Sequence, residues 1–83
     1  MIILFINKTK TGRNNICGVI VAQERKKIGI SQRELADRLQ LQGMDVDKNA
    51  VQRIESGQRF VTDIELVFLS KTLDIRVGTL LQI

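Results

Sequence analysis

Two stretches decide the fold: GISQRELADRL at Gly29–Leu39 and VDKNAVQRIESG at Val46–Gly57. In the first, Ser31-Gln32-Arg33-Glu34 has the S-x-x-E form of a capping box. A serine hydroxyl accepts from the backbone N–H three residues on, and the glutamate carboxylate reaches back to the serine N–H. A helix therefore starts here, with Leu35, Ala36 and Leu39 on its buried face and Gly43 as its stop. In the second stretch Asp47 is the N-cap of a helix that runs through Ser56, with Gly57 as its C′ residue. Val51 and Ile54 face inward along it, while Lys48, Asn49, Gln52, Arg53 and Ser56 share the opposite face.

Upstream, Val21, Ala22, Arg25 and Ile28 fall on one face of a helix from about Cys17 to Ile28, which Gly29 ends. Downstream, Thr62 to Glu65 is a second capping box, opening a helix that reaches about Leu73. A short fifth helix follows from about Val77 to Leu81. The chain begins with an apolar hexapeptide, Met1–Ile6, and a polar, basic connector, NKTKTGRNN, with Gly12 and paired asparagines as breakers. The hexapeptide reads equally as a short strand or an extended arm.

Composition bounds what such a chain can do. Its 83 residues, 43% hydrophobic and 27% charged, suit one small soluble domain. One cysteine, Cys17, excludes an intrachain disulfide and fits a reducing, cytoplasmic setting with the thiol packed in the core. With no histidine, a structural zinc site is excluded, and no other cofactor is implied. Met1–Ile6 is too short for a signal peptide, its basic residues follow rather than precede it, and no run reaches membrane-spanning length. An enzyme is not expected: the commonest general base is missing, and there is neither a nucleophile elbow nor a phosphate-binding glycine loop.

Charge is lopsided. Residues 1–33 carry seven basic residues against one acid, Glu24, whereas the remainder is net negative. A basic N-terminal part suits phosphates or another polyanion, although charge runs are commonly just solvated surface. The third helix is more informative. Lysine, asparagine, glutamine and arginine are the side chains that hydrogen-bond base edges and phosphates, and no apolar or acidic residue interrupts them on that face. An ordinary solvated helix face would look similar.

Arg25, the two quoted stretches, TDIELVFLSKTLDI at Thr62–Ile75 and VGTLL at Val77–Leu81 together resemble the phage-repressor-like (lambda-repressor-like, XRE) helix-turn-helix family. The resemblance covers about Cys17 to Leu81. It implies a compact, all-α five-helix domain over residues 16–83, preceded by an extended N-terminal arm at residues 1–15. It further implies sequence-specific binding of double-stranded DNA by a homodimer that regulates transcription, as a repressor rather than an activator. Gln32 would contact a phosphate and brace the start of the third helix, with Arg33 beside it on the DNA side. Lys48 and Asn49 would lead the recognition helix into the major groove. Gln52 and Arg53 would reach bases or adjacent backbone, and Ser56, Gln58 and Arg59 would lie along phosphates. Arg25 and Glu55 occupy positions that form an ion pair in resembling proteins.

The sequence departs from the family between the second and third helices. Gln40 to Asp45 lengthen the usual short turn by about five residues, in an L-Q-x-x-G-x-D-x-D stretch seen in some members. Leu41 and Met44 are expected to anchor this turn in the core. The fourth helix is apolar over more than one side. Leu66, Leu69 and Leu73 suit the core, and Ile64 with Phe68 lie elsewhere, facing a second chain or the folded-back Met1–Ile6 segment. A protein-interaction module, such as an antitoxin or a complex subunit, uses the same fold, and the polar third helix is what argues for DNA instead.

Overall fold

Among the described residues, side chains cap the N-termini of three helices, and left-handed residues follow the helix C-termini. The computed structural model describes residues 8–83, in which five helices follow one another: α1 (Gly18–Lys27), α2 (Gln32–Gln42), α3 (Lys48–Ser56), α4 (Asp63–Leu73) and α5 (Val77–Leu80). The Met1–Ile6 hexapeptide lies outside the described residues.

Ser31 and Thr62 close complete capping boxes with Glu34 and Glu65, and the Asp47 carboxylate accepts from the Ala50 N–H at 2.8 Å. At their C-termini α1, α2, α3 and α4 share one pattern, a left-handed residue whose following N–H reaches back five residues to a carbonyl. Three of these residues are glycines. The fourth is Asp74, at φ 54°.

The core is a single cluster in which Val21, Leu35, Leu39, Val51, Ile54, Leu69 and Leu80 are all but fully buried. α1 packs on α3, α4 and α5, and α2 packs on α3 and α4. Complete burial of each leucine contributes about 1.5–3 kcal/mol. Cys17 belongs to the cluster, and its burial pushes the thiol pKa up to about 11, which leaves it protonated and inert. No helix among the described residues is long and apolar enough to cross a membrane.

Two expectations about the apolar residues need correction. Met44 does anchor the connector between α2 and α3, together with Val46, but Leu41 is 89% exposed. The reason is that α2 persists through Gln42, and at 100° per residue Leu41 stands on the side of the helix away from Leu39. On α4, Phe68 is not a free surface residue. Its ring packs against the core and faces Gly43 at the end of α2, leaving Ile64 and Val67 as the exposed apolar pair.

Candidate nucleic-acid interface

α3 carries its polar residues outward because Val51 and Ile54, three apart, commit the other face to the core. Lys48, Asn49, Gln52 and Arg53 are all exposed. None of the three salt bridges among the described residues uses Lys48 or Arg53, so both charges face solvent unpaired. Arg33 is likewise exposed, one residue into α2, across a shallow cleft that it lines together with Asp37, Gln40, Asp47 and Lys48. Asp47 places a carboxylate on the N-terminus of α3, so the helix-end partial charge is already answered there. What α3 offers to a partner is therefore its exposed side chains rather than its backbone N–H groups.

The angle between α2 and α3 is held by one ionic cluster. Arg25 Nε donates to Glu55 Oε2 at 2.7 Å and its Nη2 to Oε1 at 3.0 Å, a bidentate pair. The two side chains are 11% and 8% exposed, and the carboxylate holds the guanidinium pKa above its ordinary value. Arg25 Nη1 also donates to the Ile30 carbonyl, fixing the loop into α2. Gln32 completes the cluster, its amide donating to Glu55 Oε1 at 3.0 Å. Gln32 therefore braces the last turn of α3, not its start, and one of its two amide hydrogens is already engaged. In a pair this buried, loss of either partner strands the other, which costs more than the pair contributes. The lengthened connector is fastened separately, by Gln40 Nε2 donating to the Val46 carbonyl at 2.7 Å.

The C-terminal end of α3 is held by residues that sequence reasoning placed elsewhere. Arg13 belongs to the basic N-terminal part whose charge suits phosphates. In the fold, however, its Nη2 donates to the Glu55 carbonyl at 2.8 Å and reaches the Ile54 carbonyl at 3.5 Å. The Asn14 N–H donates to the Gly57 carbonyl, its amide to the Gln58 carbonyl, and the Asn15 amide to the carbonyls of Ile54 and Arg59. Residues 13–15 thus form a strap across the last turn of α3 and the loop beyond. The approach is close. A Cβ on Gly57, at φ +85°, would sit 2.8 Å from Arg13 Cζ, and one on Gly18 would run into the Ile54 carbonyl oxygen. A cation over the carbonyl end of a helix also opposes its dipole favourably. No local sequence signal reveals this strap, because its partners lie about forty residues away.

The remaining site residues divide. Gln58 is exposed beyond the end of α3. Ser56 is exposed but turns its hydroxyl back to the Arg53 carbonyl at 3.2 Å. Arg59 is half-buried and bidentate to Glu65, at 3.1 and 2.9 Å, so its charge is neutralised within the fold. Lys8 and Lys10 are exposed on the segment leading to the strap. No group of His, Cys, Asp and Glu among the described residues could hold a metal ion.

A helix-turn-helix family model matches residues 21–80, which take in the helices α2 to α5 and most of α1. Among solved structures, the fold is similar to the restriction-modification controller protein C.AhdI from Aeromonas hydrophila, with a TM-score of 0.66 and 30% identity over 77% of this chain and 86% of that one. No curated protein matches. With an exposed polar α3 braced against α2 by the Arg25–Glu55–Gln32 cluster, and with both likenesses spanning that unit, the chain belongs to the phage-repressor-like helix-turn-helix family.

Proposed function

We infer that the protein is a non-enzymatic transcriptional regulator that binds double-stranded DNA sequence-specifically as a homodimer in the cytoplasm, and that it acts as a repressor. The observation that carries this reading is the outer face of α3. Lys48, Asn49, Gln52 and Arg53 stand exposed on a helix held rigidly by its buried cluster, and preorganised donors of this kind suit base edges in a major groove. In this reading Asn49 and Arg53 read bases. Lys48, Gln52, Arg33 and Gln58 reach bases or phosphates, and Gln32 offers its second amide hydrogen to a phosphate. Ser56 joins them only after its hydroxyl rotates, and Arg59 only if it leaves Glu65, so these two contribute least.

The likeness to a restriction-modification controller supports a regulatory role, and a two-fold dimer would match paired half-sites. Selection of bound sequences from a random duplex library, at a fixed salt concentration, tests the whole reading. A pseudo-palindromic consensus with two half-sites about one helical turn apart is the expected result. Binding without any consensus would reduce the protein to a non-specific polyanion binder, and no binding at all would leave the fold to a protein partner.

A further inference from the structure

Between the strap and the helices runs an open groove of about 840 Å³ that the recognition face does not touch. Its apolar lining comes from Ile16, Val19, Phe60, Val61, Leu66 and Leu81, on four separate parts of the chain. Ile16 is 48% and Phe60 53% exposed, so this lining is apolar surface left open to water rather than core. One wall is different. It consists of Lys8 to Thr11, which follow the apolar hexapeptide Met1–Ile6 after the single residue Asn7.

The turn in that wall is closed by hydrogen bonds between Thr9, Gly12 and Arg13. The Thr9 N–H donates to the Arg13 carbonyl at 2.7 Å, the Arg13 N–H returns to Thr9 Oγ1 at 3.0 Å, and the Gly12 N–H donates to the Thr9 carbonyl at 2.9 Å. The chain therefore doubles back at Lys10–Gly12, which brings Thr9 against Arg13 and sets Lys8 at the wall of the groove. Asn14, Asn15 and Ile16 line the same groove. The far side of the turn cannot swing away, because residues 13–15 are tied to the carbonyls of α3 and its loop.

We propose that this groove is the seat of the protein's own N-terminal segment, Met1–Ile6. Six residues in extended form span about 20 Å, enough to cross a groove of this size without a linker. Ile2, Ile3, Leu4, Phe5 and Ile6 supply the apolar surface that Ile16, Val19 and Phe60 lack. The cations on the rim, Lys8, Lys10 and Arg13, make the groove a poor receptor for a basic partner, and its apolar floor makes it a poor one for a polyanion. Covalent attachment at Lys8 gives the segment a high effective concentration that no free partner matches. Seating would also complete a chain of fastenings, from the hexapeptide through the strap to the last turn of α3.

The test is methyl NMR on the full chain with labelled Ile, Leu and Val, together with an isotope-filtered spectrum of mixed labelled and unlabelled protein. Cross-peaks from the methyls of Ile3, Leu4 or Ile6 to those of Val19, Leu66 and Leu81 are expected, all within one chain. Their absence overturns the proposal. So does their appearance only in the filtered spectrum, which would make the occupant a second copy's segment. As a second measurement, Ile3→Asp with Phe5→Asp should raise the fluorescence of a bound hydrophobic dye several-fold while the helical spectrum stays unchanged. An unchanged dye signal in that folded variant likewise counts against the seat.

Discussion

Arg13 donates from Nη2 to the main-chain carbonyl of Glu55 at 2.8 Å, so the same residue whose carboxylate grips Arg25 is also gripped through its backbone. Glu55 is in this way fixed from both sides, and with it the last turn of α3. Arg13→Ala should lower stability by about 1–3 kcal/mol, the range for a charged hydrogen bond lost beside buried acceptors. The salt dependence of DNA binding should change by less than one charge, because this guanidinium faces carbonyls and not phosphates. Urea unfolding and a binding titration at several salt concentrations measure the two effects. A full-charge drop in slope without destabilisation would return Arg13 to the DNA.

Helix ends offer a second check. Ser31→Ala and Thr62→Ala should each cost about 0.5–2 kcal/mol, since each removes a box in which both hydrogen bonds are made. Asp74 works in the opposite direction. It holds a left-handed φ of 54° and sets a negative charge at the C-terminal end of α4. Asp74→Gly should raise stability by about 0.5–1 kcal/mol, once glycine's larger unfolded-state entropy is offset. Thermal unfolding of the three variants should therefore move in two directions.

These caps were legible in the sequence because a box is a local pattern of four residues, and the helices and core faces followed from them. Leu41 was misread because Gln40 to Asp45 were counted as connector, although α2 runs on to its stop at Gly43 and turns Leu41 away from the core. Phe68 looked like surface until the end of α2 supplied its neighbour, Gly43. The strap was invisible for a stronger reason. Arginine and asparagine in a polar connector are equally at home beside phosphate or carbonyl, and only the tertiary fold brings residues 13–15 to α3. The same limit applied to Arg59, a plausible phosphate ligand by position whose charge the fold gives to Glu65.

That pair makes stability pH-dependent in the acid range. The Arg59 guanidinium, with the Thr62 N–H, holds the Glu65 carboxyl below its ordinary value. A carboxyl whose folded pKa lies below its unfolded one stabilises the fold above the unfolded value, and loses that contribution as pH falls through the folded one. Melting temperature should therefore decline from about pH 5 downward, and Glu65→Gln should flatten that decline while lowering stability at neutral pH. If the variant kept the full acid decline, other carboxylates would be responsible.

Dimerisation through α4 is tested on the residues that the fold leaves exposed. Ile64 and Val67 are 67% and 44% exposed, whereas Phe68 packs inward, so aspartate at Phe68 would damage the core instead of the interface. Ile64→Asp with Val67→Asp should give a folded chain that sediments as a monomer and binds a palindromic site with much lower affinity than wild type. A wild-type protein that sediments as a monomer at high concentration removes the basis for the dimer.

The last prediction separates reading from bracing on the recognition surface. Arg53 and Asn49 are exposed on α3, and each side chain can make two hydrogen bonds to one base, arginine to guanine and asparagine to adenine. Replacing either with alanine should cost about 1–3 kcal/mol on the selected site and relax preference at one base position, with stability unchanged. Gln32 differs because its amide donates to Glu55 inside the Arg25 cluster. Gln32→Ala should weaken all sequences by a similar factor and also lower the melting temperature, since it loosens α2 against α3. The measurement is binding to the selected site and to its single-base variants at one salt concentration, with thermal unfolding of each variant alongside. Loss of affinity on Arg53→Ala and Asn49→Ala that is uniform across all base variants would make α3 a backbone-contacting helix. Specificity would then have to come from a part of the surface other than this face.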